Sequence, residues 1–288
     1  HEPEPDVVIV GYMGHFDVHL ARLLFRGTPI VLDHLIGASD TARDRRLNGG
    51  FRAGLMQMID SAALRAADVV LVDTDEHLAA LPVRHRDRAV VVPVGAPGAW
   101  FAEPSTSDTG PLRVVFFGLY TPLQGAPVIG AALGQLAGEP IAVTMVGHGQ
   151  DEAATKAAAT NPAVTWLNWV PSAQLPALVA GHDVCLGIFG TGAKALRVVP
   201  NKVFQGAAAG CAVVTSDTAP QRRALGAAAV LVPPGDPAAL ADALRALAAD
   251  RTELTRLRVA GHRLATTRFA PDQVVGPLLD VIVTKVST

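Results

Sequence analysis

The sequence has few of the residues and patterns that mark disulfide, metal-binding or membrane proteins. Its 2 cysteines, Cys185 and Cys211, lie in apolar runs without metal-ligand spacing, so we expect two small buried core residues. No apolar run approaches the roughly 18 residues of a membrane span, and the N-terminal HEPEPD lacks the pattern of a signal peptide. We therefore predict a cytoplasmic protein, and leave open peripheral contact with the inner face of a membrane.

Charge of one sign is also missing. The 24 basic and 26 acidic residues give a formal net charge of −2, which offers no general case for nucleic-acid binding. A GxGxxG fingerprint is absent as well, so little supports a dinucleotide cofactor. What is present is a chain of 288 residues, half of them hydrophobic, which is long enough for two domains with real cores.

Strand and helix patterns alternate along the chain, as in α/β proteins with parallel sheets. Short aliphatic runs such as VVIV, PIVL and VVLV are typical of buried strands, and a Pro/Ser/Gly-rich linker composition interrupts them at 102–111. We predict two Rossmann-like lobes with helices on both faces of each sheet and a ligand cleft between the lobes. The lobes cover residues 1–104 and 110–270, and a C-terminal helix at 271–288 returns toward the first lobe.

Glycines follow two predicted strands of the second lobe, where parallel sheets bind their ligands. Gly118 comes after LRVVFF, and Gly147 and Gly149 flank His148 after IAVTMV. A glycine at such a place lets a ligand approach the backbone. A tight turn without any ligand is the alternative explanation for each loop.

A cluster of cations follows the strand DVCLGIF. Lys194, Arg197 and Lys202 lie within nine residues around a predicted helix N-terminus. Three cations and a helix dipole can hold an anion without a metal ion. A solvated surface loop is the alternative.

The helix that follows these cations is apolar except for three residues on one arc, Asn201, Lys202 and Gln205. We expect Pro200 and Asn201 to open this helix and Gly210 to end it at a positive φ. A polar rim that only caps the helix would account for Asn201, but not for Gln205. The arc is therefore a candidate ligand contact.

Taken together, the stretches FFGLYTPLQG, VTMVGHGQD, VTWLNWVPSAQLPALVAGHDVCLGIFG and PNKVFQGAAAGCAVVTSD resemble the C-terminal lobe of a family-4 glycosyltransferase of the GT-B fold. The N-terminal part is similar to the same family in VVIVGYMGHFD, LDHLIGASDTARDR and ADVVLVDTDEHL. The first strands of the family's N-terminal lobe, with their glycine-rich turn, have no counterpart, so we expect that lobe to be incomplete.

This resemblance implies a retaining, metal-independent, hexosyltransferase-like enzyme. It would move a sugar from a UDP- or GDP-sugar to a hydroxyl on an unidentified glycan, lipid or small molecule. The nucleotide sugar is a substrate, and no cofactor is expected. In such enzymes the leaving diphosphate helps to deprotonate the acceptor, so the protein mainly stabilises negative charge.

The resemblance also assigns a donor site, which departs from the family at several positions. Gln205 replaces a ribose-binding Glu, and its amide would bind a diol more weakly than a carboxylate. Arg197 replaces the second acid of the family pair, while Leu119 and Gln124 replace basic residues that hold the diphosphate. We infer that the three cations take over that charge. The expected donor-binding residues are Gly118, Gln124, Gly147, Gly149, Lys194, Arg197, Asn201, Lys202 and Gln205.

On the acceptor side, His15, Asp17 and Asp33 are expected to orient or polarise the acceptor hydroxyl. Lys202 is counted with them as catalytic, because it would stabilise the departing diphosphate. No metal ligands are predicted, since acids such as Asp73 beside a helix start more often complement its dipole.

Rival functions remain open at this point. One is a degenerate or non-catalytic GT-B scaffold or partner protein, which the neutral donor positions favour. A sugar-nucleotide epimerase should carry more carboxylates and histidines at the cleft. A two-lobed solute-binding receptor would normally have a secretion signal.

Overall fold

The computed structural model describes residues 4–35, 50–104 and 110–286 and divides into two compact units. The first unit comprises His1–Pro93 and Val274–Thr288, and the second comprises Val94–Gln273. The second unit thus includes residues 94–104, whose Trp100 ring stacks on Phe117 with centroids 5.4 Å apart.

The described residues form parallel strands and connecting helices. The strands are β1 (Val8–Val10), β2 (Ile30–Asp33), β3 (Val69–Val72), β4 (Ala89–Val91), β5 (Leu112–Phe117), β6 (Ile141–Val146), β7 (Val164–Leu167), β8 (Val184–Leu186), β9 (Ala212–Ser216) and β10 (Ala229–Val232). The helices are α1 (Asp17–Leu24), α2 (Gly50–Ala66), α3 (Asp75–Ala80), α4 (Ala126–Gln135), α5 (Glu152–Ala158), α6 (Leu175–Ala180), α7 (Asn201–Ala208), α8 (Ala219–Leu225), α9 (Pro237–Ala249), α10 (Arg251–Leu264), α11 (Pro271–Val274) and α12 (Gly276–Val286).

Each unit contains one sheet in which all described pairings are parallel. The first sheet has the order β1-β2-β3-β4, and the second has the order β10-β9-β8-β5-β6-β7. Parallel neighbours need crossover connections, which the helices supply. The predicted α/β class with parallel sheets and flanking helices is confirmed.

Both faces of the sheets are buried, as the continuous apolar strand runs indicate. In β5, Phe116 packs into one hydrophobic cluster and Phe117 into the other. In β2, Leu32 and Val31 divide in the same way between two clusters of the first unit. The two cysteines are fully buried free thiols, as predicted.

Helices α9 and α10 are separated at Asp250, whose carboxylate caps α10 by accepting from the Glu253 N–H at 2.9 Å. The C-terminal segment, predicted as one helix, consists of two helices, α11 and α12. Leu278 of α12 packs beside Val69 in the core of the first unit. Nowhere in the three described ranges is a helix long and apolar enough to cross a bilayer.

Candidate functional site

The loops after β5 and β6 pack against each other through glycines at the carboxyl edge of the second sheet. A Cβ on Gly147, at φ 130°, would stand 1.9 Å from the Gly118 carbonyl oxygen. A Cβ on Gly149 would stand 2.5 Å from the Tyr120 carbonyl oxygen. These two predicted donor residues are thus required by backbone packing, whether or not a ligand binds.

Gly118 has different surroundings, although its φ of 140° is also one that glycine favours. The atoms nearest to an added Cβ there are the Lys202 Nζ at 3.0 Å and the Gln124 Oε1 at 4.0 Å. Gly118 therefore lies directly beside two polar side chains that the sequence predicted for the donor site.

The backbone around Gln124 is fixed to the loop after β8. The Gln124 carbonyl accepts a hydrogen bond from the Phe189 N–H at 3.0 Å. The next residue, Gly125, adopts φ 65°, and a Cβ on it would lie 2.5 Å from the Gly190 nitrogen. Helix α4 begins immediately afterwards, so Gln124 occupies a defined position at the edge of the sheet.

Lys202, the second residue of α7, points its ammonium into this region. Lys202 is only 5% exposed, and its Nζ donates a hydrogen bond to the Gln124 Oε1. The same Nζ lies 3.8 Å from the centre of the Phe116 ring, which gives a cation–π contact. Burial lowers the Lys202 pKa to about 7, and no carboxylate from the described ranges pairs with it.

The strand beneath α7 presents a thiol rather than a charged group. Cys185 Sγ donates to the Lys202 carbonyl at 3.5 Å, and burial raises the thiol pKa to about 12. The helix can approach this closely because residue 206 is glycine, where a Cβ would lie 2.6 Å from the Cys185 Sγ. The thiol is thus neutral and does not balance the charge of Lys202.

The remaining residues of the predicted donor site differ in burial. Asn201 is exposed and forms the first residue of α7, while Pro200 occupies the cap position without a side-chain cap, so Asn201 does not cap the helix as expected. Gln205 is half-buried one turn beyond Lys202. Gly210 ends the segment at φ 75°, as predicted.

The other two cations belong to the loop before α7. Lys194 and Arg197 are both half-buried, and the Arg197 Nε donates to the Ala193 carbonyl at 3.0 Å within the same loop. The three predicted cations therefore occupy different environments. Only Lys202 has a side chain that enters the protein interior and meets Gln124 there.

At the carboxyl edge of the first sheet, His15 forms a buried pair with Asp60. The His15 Nε2 lies 3.0 Å from the Asp60 Oδ1, and this hydrogen bond raises the His15 pKa, with a further contribution from the Met13 backbone. The His34 ring meets the His15 ring edge-on at 5.8 Å. Sequence reasoning missed Asp60. An acid among the apolar residues of α2 was the available signal.

Asp17 and Asp33, the other two residues predicted for the acceptor side, are less buried than the His15–Asp60 pair. Asp17 is exposed in the first turn of α1. Asp33, at the end of β2, is half-buried and accepts from the Leu35 N–H at 3.2 Å. Burial raises the Asp33 pKa, and Asp73 at the end of β3 raises it further.

Asp73 itself is engaged by its own helix. It hydrogen-bonds to His77, while the Thr74 hydroxyl caps α3 by accepting from the His77 N–H at 3.2 Å. Within residues 4–35, 50–104 and 110–286, no group of three or more His, Cys, Asp or Glu could hold a metal ion. Residues 36–45 of the LDHLIGASDTARDR stretch lie outside the described residues.

Comparison with known proteins relates this geometry to a family. Residues 111–250 match the family model described as Glycosyl transferases group 1. No curated protein matches the sequence.

Solved structures share the fold at low sequence identity. Sucrose-phosphate synthase from Thermosynechococcus elongatus is 16% identical and has a TM-score of 0.77. The alignment covers 97% of this chain and 73% of the synthase chain. HepE from Anabaena, solved with UDP, is 15% identical with a TM-score of 0.75, covering 96% of this chain and 79% of its own. An alpha,alpha-trehalose-phosphate synthase (UDP-forming) from Burkholderia vietnamiensis is 16% identical and has a TM-score of 0.70. The alignment covers 99% of this chain and 75% of that synthase chain. Residues 111–250 thus match the Glycosyl transferases group 1 model, and the chain as a whole has the GT-B fold.

Proposed function

We propose that this protein is a retaining glycosyltransferase that transfers a sugar from a UDP- or GDP-sugar to a hydroxyl acceptor without a bound metal. The observation that carries the proposal is the buried ammonium of Lys202, which faces a neutral amide beside Gly118 in the Glycosyl transferases group 1 domain. A buried charge is costly until an opposite charge approaches it. A nucleoside diphosphate supplies that charge.

Similar structures support the choice of donor. HepE from Anabaena was solved with UDP and with UDP-glucose. By analogy, we place the diphosphate of the donor at the carboxyl edge of the second sheet, beside Gly118. Lys194 and Arg197 would add positive charge from the loop before α7, and Asn201 would add a polar contact at the helix start.

The proposed reaction needs stabilisation of negative charge more than it needs a protein nucleophile. The bond between the anomeric carbon and the diphosphate oxygen breaks, and the acceptor oxygen bonds to that carbon on the same face. The acceptor proton passes to the leaving diphosphate. Lys202 and the N-terminal end of α7 stabilise the charge that develops on the diphosphate.

Gln205 is the proposed contact for the donor ribose. It follows Lys202 by three positions, so both side chains lie on neighbouring parts of the α7 surface. Its amide can accept one hydrogen bond and donate another, whereas a carboxylate would accept two with about twice the strength. Gln205→Glu should therefore bind the nucleotide more tightly.

The acceptor side of the proposal rests on the first unit. We assign the acceptor hydroxyl to Asp17 and Asp33, with His15 acting from its buried pair with Asp60. The acceptor class (glycan, lipid or small molecule) and a peripheral membrane contact remain predictions. A cytoplasmic location and independence from metal likewise remain predictions.

The test is calorimetric titration with UDP, GDP and ADP, made on the wild type and on Lys202→Met. We expect micromolar binding of one diphosphate and a loss of about 1–3 kcal/mol in Lys202→Met, as for a charge-assisted hydrogen bond. Lys156→Met is the matched control, because Lys156 is exposed and pairs with Glu152 at 2.7 Å. It should bind like the wild type.

Binding alone does not separate an enzyme from a degenerate scaffold. We therefore expect slow release of UDP or GDP from the matching nucleotide sugar, even with water as the acceptor. Binding without any such turnover, across a panel of hydroxyl acceptors, would favour the scaffold. Absence of nucleotide binding in the wild type would contradict the donor site itself.

A further inference from the structure

The neutral side chain opposite Lys202 raises a question of its own, because a buried ammonium is usually met by a carboxylate. We propose that Gln124 is a positioning residue, whose amide oxygen holds the Lys202 ammonium beside Gly118 while leaving its positive charge unbalanced for the donor diphosphate. This inference rests on the proposed function and adds to it the residue that presents the cation.

Neighbouring loops hold the backbone of Gln124 in place. Its N–H donates to the Thr121 carbonyl at 2.9 Å, and its carbonyl accepts from the Phe189 N–H at 3.0 Å. The following turn at Gly125 fits against Gly190 with no room for a Cβ. The Gln124 side chain therefore starts from a backbone position that neighbouring loops fix on both sides.

Two uncharged groups fix the position of the ammonium. The Lys202 Nζ is held by the Gln124 Oε1 and by the face of Phe116, whose centre is 3.8 Å away. Neither contact neutralises a charge, because one partner is an amide and the other an aromatic ring. A side chain at residue 118 would approach both polar groups, so glycine there leaves that space to a ligand.

The thiol that faces Lys202 does not balance its charge. The titratable group that faces it from β8 is Cys185, whose pKa is raised to about 12, so this thiol is neutral. The site therefore carries a net positive charge whenever Lys202 is protonated. A Glu at position 124 could make the same contact, but it would form an internal ion pair and compete with any anionic ligand.

This reasoning gives two effects of opposite sign for the near-isosteric variant Gln124→Glu. The ion pair should raise the melting temperature or leave it unchanged. The same ion pair should weaken binding of the nucleoside diphosphate by about 10- to 100-fold. Affinity for the corresponding nucleoside, which lacks phosphates, should change less than about threefold. A merely structural contact would not separate the diphosphate from the nucleoside.

The pH profile provides a second readout. Burial places the pKa of Lys202 at about 7, so wild-type affinity for UDP should fall as pH rises from 7 to 9. Over that range the phosphate charge of UDP is nearly constant, because its last pKa is about 6. In Gln124→Glu the carboxylate raises the Lys202 pKa, so the fall should move to higher pH.

Two further variants keep the test independent of folding. Gln124→Asn keeps a neutral amide but shortens it, so it should lose about 3- to 10-fold in diphosphate affinity with the pH profile of the wild type retained. Gln135→Glu is the control for added charge, since Gln135 is exposed at the opposite end of α4. It should match the wild type in both measurements.

The outcomes distinguish this inference from the proposed function. If Gln124→Glu and Gln124→Asn both bind UDP as the wild type does, Gln124 does not position the cation, even though sugar transfer stands. If the wild type binds no nucleoside diphosphate, the proposed function fails and this inference fails with it. Equal losses for diphosphate and nucleoside would also overturn it, because they would indicate a general disturbance of the site.

Discussion

The two sheets each end in a buried basic side chain held by a polar partner, but the partners differ in charge. In the first unit His15 faces the carboxylate of Asp60, and in the second unit Lys202 faces the amide of Gln124. The first pair balances its own charge, and the second does not. The comparison teaches that burial of a cation alone does not indicate a binding site, whereas burial against a neutral acceptor leaves a charge for a ligand.

The pKa shifts of the two basic groups follow this difference. The Asp60 hydrogen bond raises the His15 pKa, while burial lowers the Lys202 pKa to about 7. Protonated His15 therefore stabilises the fold, and this stability is lost as pH rises through its folded pKa. Protonated Lys202 destabilises the fold, so stability rises with pH between about 7 and the unfolded pKa near 10.5.

The largest effect is expected from breaking the balanced pair. Asp60→Asn should lower the free energy of unfolding by about 3 kcal/mol at pH 5.5, because it leaves the His15 ring without its counter-charge. The loss should be smaller at pH 9, because His15 loses its proton as pH rises through its folded pKa. Urea denaturation at the two pH values measures this, with Asp242→Asn as an exposed control. An equal loss at both pH values would show that His15 is not charged.

A change of opposite sign is expected at the unbalanced cation. Lys202→Met should raise the free energy of unfolding by about 1–2 kcal/mol at pH 7, because an apolar side chain replaces a buried charge. This gain in stability should shrink toward pH 10, where Lys202 of the folded wild type is a neutral amine. Denaturation curves at pH 7 and 10 measure it. A destabilised Lys202→Met at pH 7 would mean that Gln124 and Phe116 already satisfy the charge.

The smallest effect is expected at Asp33, whose carboxylate accepts from the Leu35 N–H but pairs with no basic side chain among the described residues. Burial and Asp73 raise its pKa, so ionised Asp33 weakens the fold. Asp33→Asn should raise the free energy of unfolding at pH 7 by about 0.5 kcal/mol. If Asp33 orients the acceptor, the same variant should also lower turnover with unchanged diphosphate affinity. Unchanged turnover would remove Asp33 from the acceptor site.

The sequence predicted the parts of the fold that depend on local pattern. Alternating aliphatic runs indicated the parallel strands, because buried strands are apolar on both faces. The start of α10 also has a local signal, since Asp250 and Glu253 have the spacing of a helix capping box. The second unit begins at Val94, and its Trp100 packs on Phe117 in space, a contact that no local pattern indicates.

The sequence pointed to individual candidate residues, but not to the contacts that these residues make in the fold. Lys202 was predicted from its place at a helix start, which is a local signal. Its contact with Gln124 joins residues 78 positions apart, and that of His15 with Asp60 also depends on how distant segments pack. No local pattern distinguishes an amide that holds a cation from one that faces solvent.

The interlocked glycines also bear on how this protein could be redesigned. An added Cβ at Gly147, Gly149, Gly125 or Gly190 would meet backbone atoms of an adjoining loop. Almost every amino-acid substitution at these positions should therefore disrupt folding. A mutant library aimed at a new sugar nucleotide would waste its diversity on these positions. It should instead randomise Leu119, which is 53% exposed on the same loop, and the half-buried Gln205 of α7.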